Sequence, residues 1–330
     1  MFNASLCLLS GDELHEVLAL EVEEPLLVHQ AAALDVAAAH HDRDLVADQV
    51  VVLGNVAAGQ QVLYHLAGQV AVTTSVLDPR ADFEANALGT FNTLEAARAS
   101  GSDPIFLYTS TNKVYGGMES ERVLAESDHY RFGDLPLGVP ESYPLDFFSP
   151  YGCSKGAGDQ YVRDYARIYG MKTIVFRQSC IFGPRQMGVE DQGWLAHFVI
   201  QAVLGRGVSI YGDGKQVRDV LFIDDLIRAF QLATEKIEIT RGQVYNIGGG
   251  PGFTLSVWAQ TGPILQALAG RAIPVQWGDW RPGDQRIYVS DIRKARADFG
   301  WQPRVPPAAG LRRLWEWVSA NKPLFGEQQP

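Results

Sequence analysis

From Val62 onward the chain alternates short continuous apolar runs with amphipathic stretches, and no other feature constrains the fold as strongly. Residues 62–66 read as a buried strand closed by a turn at Ala67-Gly68. Residues 82–99 read as a helix, with Phe83, Ala87, Phe91, Leu94 and Ala97 at helical spacing and Gly101 just beyond its end. Residues 104–110 form a second apolar run. A long helix over 149–169 is opened by Ser149 as N-cap and Pro150, and closed by Gly170. Further strands are expected at 172–178, 217–223 and 244–247, with helices at 194–204 and 224–234. Apolar strands alternating with helices predict an α/β fold, a doubly wound parallel sheet covered on both faces. The proline- and tryptophan-bearing C-terminal part predicts a smaller lobe. The expected division is an anomalous segment at 1–60, a Rossmann-like core at 61–180, and a lobe at 181–330 that returns some elements to the core.

Composition narrows the function. No apolar stretch reaches the roughly eighteen residues a membrane span needs, and the N-terminus lacks the basic start of a secretory signal. The three cysteines show neither metal-ligand spacing nor a disulfide framework, which fits a reducing cytoplasm. A net charge of -10 argues against a nucleic-acid partner. That charge is concentrated at one end. Residues 1–60 hold one Arg, no Lys, five Asp and five Glu, and Phe2 is their single aromatic residue.

The chemistry centres on Tyr151-Gly152-Cys153-Ser154-Lys155. Tyr and Lys four apart on a helix share a face. A nearby ammonium favours phenolate, so Tyr151 is expected to work as a general base at a lowered pKa. The other Tyr-x-x-x-Lys, Tyr211 to Lys215, lies in the turn sequence Tyr-Gly-Asp-Gly-Lys and carries no such expectation. Upstream, a strand ends in Thr109-Ser110-Thr111-Asn112-Lys113-Val114-Tyr115-Gly116, and hydroxyls at strand C-termini face the ligand crevice of open α/β sheets.

These motifs, with His65-Leu66-Ala67-Gly68, Asn86-Ala87-Leu88-Gly89-Thr90, the run from Phe176 to Pro184, Arg218-Asp219 and Arg281-Pro282-Gly283-Asp284, resemble the extended short-chain dehydrogenase/reductases acting on nucleotide sugars. The resemblance covers roughly residues 56–320. Within the family it is most similar to the CDP-paratose (CDP-tyvelose) 2-epimerases, with Val189-Glu190-Asp191-Gln192-Gly193-Trp194 a distinctive part. It implies NAD as cofactor, no metal, a CDP-linked sugar substrate and a homodimer or homotetramer. By resemblance Thr111 would bind the reacting hydroxyl, Tyr151 act as base, and Lys155 support it and hold a cofactor ribose. Leu66, Ala67, Gly68, Asn86 and Gln178 would contact the cofactor. Asn112, Cys180, Leu195, Ser209, Tyr211 and Tyr288 would line the sugar-nucleotide pocket, and Arg218 and Arg281 would hold the diphosphate. A 4,6-dehydratase would be expected to carry Asp-Glu after the threonine. Asn112 and Lys113 stand there instead, which favours epimerisation, and a nucleotide-sugar 4-epimerase is the alternative.

The family's opening strand, Gly-x-x-Gly-x-x-Gly turn and helix find no match in residues 1–60, whose glycines are Gly11, Gly54 and Gly59. The first βαβ unit is therefore read as missing or aberrant. A displaced reading frame over about the first 55 residues, a diverged cofactor unit, and an inactive nucleotide-sugar-binding remnant each account for this.

Overall fold

The computed structural model describes residues 7–9, 61–281 and 284–326, so the expectations for the rest of 1–60 lie outside the described residues. The chain divides into two compact units. One comprises Met1–Val114, Phe147–Arg177 and Phe230–Tyr245; the other comprises Tyr115–Asp146, Gln178–Ala229 and Asn246–Pro330.

The first unit is built on a five-stranded sheet in the order Cys7–Leu9, Val62–His65, Ile105–Thr111, Thr173–Gln178, Gln243–Ile247. The last four are parallel. Val62–His65 pairs in register with Ile105 to Tyr108. The edge strand Cys7–Leu9 runs antiparallel to Val62–His65, so the sheet is Rossmann-like over four strands and departs from that pattern at the edge. The parallel strands are largely buried because helices cover them. Leu63, Leu94, Phe106, Tyr108, Val162, Tyr165 and Val175 form one buried cluster.

Two local departures from the expected pattern concern function. The stretch expected as one helix over 82–99 consists of Pro79–Phe83, a π-helical turn Glu84–Leu88, and Gly89–Ala99. Asp78 caps it by accepting from the Ala81 amide. A π turn adds a residue to the helical repeat and re-aims the side chains on it, and Asn86 sits within it. The long helix Ser149–Tyr169 begins one residue earlier than expected, with Phe148 at the N-cap and Gly170 left-handed at the C-cap. Ser149 still does the capping work, since its hydroxyl accepts from the Gly152 amide at 3.3 Å.

The second unit has its own core, in which Phe182, Leu195, Phe198, Val199, Ile210, Phe222, Leu265, Leu311 and Leu314 pack together. Its strands form small sheets: Val217–Asp219 lies between Thr254–Ser256 and Ile287–Tyr288, and Val208–Tyr211 pairs parallel with Val275–Gly278. The expected strand 217–223 is therefore split into Val217–Asp219 and Leu221–Phe222, each in a different sheet. No helix among the described residues is long and apolar enough to cross a membrane.

One buried interaction ties the first unit together. Arg177, at the end of a central strand, donates to both carboxylate oxygens of Asp159 at 2.8 and 2.9 Å. Ser110 of the neighbouring strand donates to the same carboxylate at 2.8 Å. The two charged side chains are 3% and 0% exposed, so water cannot replace either partner. Asp159→Ala would take its carboxylate partner away from a guanidinium that is 3% exposed. The expected loss is about 3–5 kcal/mol of unfolding free energy, measured by urea denaturation; a loss under ~1 kcal/mol would contradict this account.

Candidate functional site

Thr111, Tyr151 and Lys155 are brought together in the first unit, at 7%, 9% and 6% exposure. Thr111 ends a strand, and Tyr151 and Lys155 lie one turn apart on the helix Ser149–Tyr169. The Thr111 side chain lies near enough to the Tyr151 phenol to favour its ionised form. Thr111 is fixed in turn by the Lys113 amide, which donates to it at 3.2 Å. The Tyr151 amide donates to the Ser75 hydroxyl at 3.1 Å, so an upstream helix supplies a cap to the catalytic one.

Electrostatics differ in sign from the sequence expectation. Burial pushes the Tyr151 phenol above its ordinary value; the Thr111 side chain opposes this and the Asp82 charge adds to it. Burial lowers the Lys155 ammonium to about 7, opposed by Asp159 and Asp82. The reason is geometric. Lys155 Nζ lies 4.4 Å from the centre of the Tyr108 ring, in surroundings that include the stacked His65 ring. Burial, then the Lys155 charge, holds the His65 imidazole down at about 3, so it is neutral. Its Nε2 is within 3.0 Å of the Thr90 hydroxyl.

Several residues of this cluster escaped the sequence reading. Asp82 is 1% exposed, accepts from the Ser154 hydroxyl at 2.5 Å, and accepts from Asn86 at 3.1 Å. The available signal was the i, i+4 spacing of Asp82 and Asn86, together with Ser154 inside the Tyr-x-x-Ser-Lys run. Tyr108, Asp159 and Arg177 carried none, because each looks like an ordinary strand or helix residue until packed.

The cofactor-side candidates fit a polar ligand. Asn86 Oδ1 is buried without a partner. A Cβ on Gly68 would stand 2.5 Å from that oxygen and 3.8 Å from Lys155 Nζ, so Gly68 keeps a cradle open. Leu66 is 42% exposed beside it. Gln178 Nε2, at the end of its strand, is also buried without a partner. Asn86, Gly68, Tyr151 and Lys155 are therefore the described residues that would hold the nicotinamide half of NAD. The glycines of residues 1–60, none of which matches the family's glycine-rich turn, lie outside the described residues.

The substrate-side candidates belong to the second unit, except Asn112, which lies in the first. Arg281 stacks over the Tyr211 ring at 3.8 Å and pairs with Glu190 and Asp191, each at 3.0 Å. Arg218 pairs with Asp284 at 2.7 Å. Cys180 adopts a left-handed φ of 27° and accepts from the Trp194 indole at 3.5 Å. Ser209 pairs with Gln276 along the strand Val208–Tyr211. Leu195 and Tyr288 are core side chains, at 2% and 0% exposure. Asn112 is buried beside Thr111, 3.4 Å from its hydroxyl.

A profile of the NAD dependent epimerase/dehydratase family matches residues 28–248, and the chain belongs to that family. The match begins upstream of the onset near Val56 that the motifs alone suggested. The class is thus the extended short-chain dehydrogenase/reductases, and the chain is an NAD-dependent enzyme of the nucleotide-sugar epimerase and dehydratase kind. It is 42% identical over 262 residues to the CDP-paratose 2-epimerase of Salmonella typhi, covering 78% of this chain and 77% of that one. The UDP-glucose 4-epimerase of Thermotoga maritima, solved with UDP-glucose, superposes with a TM-score of 0.71 at 30% identity, covering 84% and 83% of the two chains. The dTDP-glucose 4,6-dehydratase of Streptomyces venezuelae, solved with NAD bound, gives 0.70 at 28% identity, covering 83% and 78%.

The lowered Lys155 value has a direct consequence. Between about 7 and the ordinary 10.5 the unfolded chain binds a proton at this lysine that the folded chain does not. The stability cost of the buried ammonium is therefore full below pH 7 and relieved as pH rises toward 10.5. Lys155→Met should be more stable than the parent at pH 6.5, with the gap shrinking by pH 10. Thermal melts at both values, without added nucleotide, check this; a gap that widens with pH contradicts it.

Proposed function

We propose that the chain is a nucleotide-sugar epimerase, inverting one carbon of the sugar through transient oxidation to a ketone and reduction on the opposite face. The observation that carries this is the sequence after the reactive threonine. Asn112 and Lys113 cannot act as the paired carboxylic acid and carboxylate that elimination of water would need. NAD, when bound, accepts a hydride and returns it, so it ends each turnover unchanged. Tyr151 holds and moves the proton of the reacting hydroxyl. Thr111, at the end of its strand near Tyr151, fixes that hydroxyl. Lys155 brings a cation whose charge responds to pH near neutrality. Arg218 and Arg281 would carry the diphosphate, since guanidinium binds phosphate oxygens bidentately.

Two substrate readings follow. A nucleotide-sugar 4-epimerase of broad specificity is favoured by the superposition on a UDP-glucose 4-epimerase over most of both chains. A 2-epimerase of CDP-linked dideoxyhexoses is favoured by the 42% identity to such an enzyme. The first carries more of the comparisons. A homodimer through the helices around 82–99 and 149–169 is proposed with either; Phe83, Tyr161 and Ile168 leave apolar surface exposed on them.

The test begins with the purified chain, denatured and assayed for released NAD. A near-stoichiometric yield supports an active enzyme, and no NAD, bound or added, supports the remnant reading. Formation of UDP-galactose from UDP-glucose then selects the 4-epimerase, and conversion of CDP-paratose selects the 2-epimerase. Tyr151→Phe should lower turnover by about 10²–10⁴-fold with an unchanged unfolding midpoint; full activity in that variant would sink the assignment.

A further inference from the structure

The acidic motif Val189-Glu190-Asp191-Gln192 has no role in the reaction as derived, yet the fold places it with care. Val189 and Gln192 exchange backbone hydrogen bonds at 2.9 and 3.1 Å, making a tight turn with Glu190 and Asp191 at its tip. Glycines on both sides fix that turn. A Cβ on Gly188 would stand 2.4 Å from the His197 amide nitrogen, and Gly193 is left-handed at the N-cap of the helix Trp194–Val203. The tip carboxylates meet one guanidinium. Glu190 reaches Arg281 Nη2 and Asp191 reaches Nη1, both at 3.0 Å. Glu190 also accepts from the Tyr211 hydroxyl, and the Tyr211 ring underlies Arg281. Both terminal nitrogens of the guanidinium are thus met by carboxylates of the same chain.

We propose that Glu190 and Asp191 are specificity-determining residues that compete with anionic ligands for Arg281, so that small free anions are excluded and only a ligand held by further contacts displaces them. This rests on the reading of Arg281 as a diphosphate ligand. The competitor is displaceable. Its carboxylates are 43% and 44% exposed, and ion pairs so exposed are weak because water and salt screen them. It is nevertheless selective. A bare anion gains only what Arg281 offers and must give that gain up to two carboxylates already in place. A nucleotide diphosphate adds the contacts of its base and sugar to the same exchange. The cost of displacing the carboxylates falls equally on both ligands, so it holds a weak anion below occupancy at concentrations where a nucleotide diphosphate still binds.

The experiment measures binding of inorganic pyrophosphate, UDP and CDP to the full chain by titration calorimetry at low salt. The chains compared are the parent, Glu190→Gln/Asp191→Asn, Arg281→Gln, and Glu316→Gln, an exposed change of equal sign on the C-terminal helix. The double variant should bind pyrophosphate roughly fivefold tighter or more, a gain absent from Glu316→Gln and abolished when Arg281→Gln is added. Unchanged or weaker pyrophosphate binding in the double variant, with Arg281→Gln weakening UDP or CDP, overturns the competitor alone. UDP and CDP binding that is indifferent to Arg281→Gln overturns the diphosphate reading of Arg281, and the proposal with it.

Discussion

The buried pair of Asp159 and Arg177 is the constraint on which the first unit depends. It joins three elements at one point: the helix bearing Tyr151 and Lys155, the strand ending at Gln178, and, through Ser110, the strand ending at Thr111. Charges this deep cannot be exchanged for water, so the three elements keep one register relative to each other. Thr111 follows Ser110 directly, and Lys155 lies one helical turn from Asp159. The position of the strand end at Thr111 is thus tied to an ion pair sealed from solvent. Asp159 also opposes, in part, the loss of the Lys155 charge, so scaffold and chemistry share a group.

A second polar cluster does similar work one helix away. Asp82, Asn86 and Ser154 join the π turn to the catalytic helix. The π turn matters because it lets Asn86 turn its side chain inward and present an unpartnered oxygen beside Gly68. Unsatisfied buried polar atoms are costly, and the Asn86 oxygen is one of them. Burial around this cluster is also why the Tyr151 phenol stands high before any ligand is present.

The second unit follows a different logic. Its cations are partnered by carboxylates across short distances, Arg281 with Glu190 and Asp191, Arg218 with Asp284. These contacts are partly exposed, unlike the sealed pair of the first unit. A sealed pair fixes architecture, whereas an open pair can be exchanged. The same chemistry therefore fixes structure in one unit and leaves partly exposed, exchangeable pairs in the other.

The sequence by itself determined the alternation of apolar strands and helices, and with it a parallel sheet, because hydrophobic period and turn chemistry are local properties. It also singled out Thr111, Tyr151 and Lys155, which the fold brings together, since a four-residue helical spacing and a strand-end hydroxyl can be read without coordinates. It did not reveal the partners of those residues. Asp82, Tyr108, Asp159 and Arg177 are ordinary in sequence and become functional only when strands 40 or more positions apart are laid side by side. Nor did it give the sign of the electrostatics. Spacing alone puts an ammonium near a phenol and suggests a lowered pKa, but only the packed structure shows how completely both are desolvated and that Lys155 lies over Tyr108. Proximity along a helix is encoded locally; burial is decided by everything that packs around it.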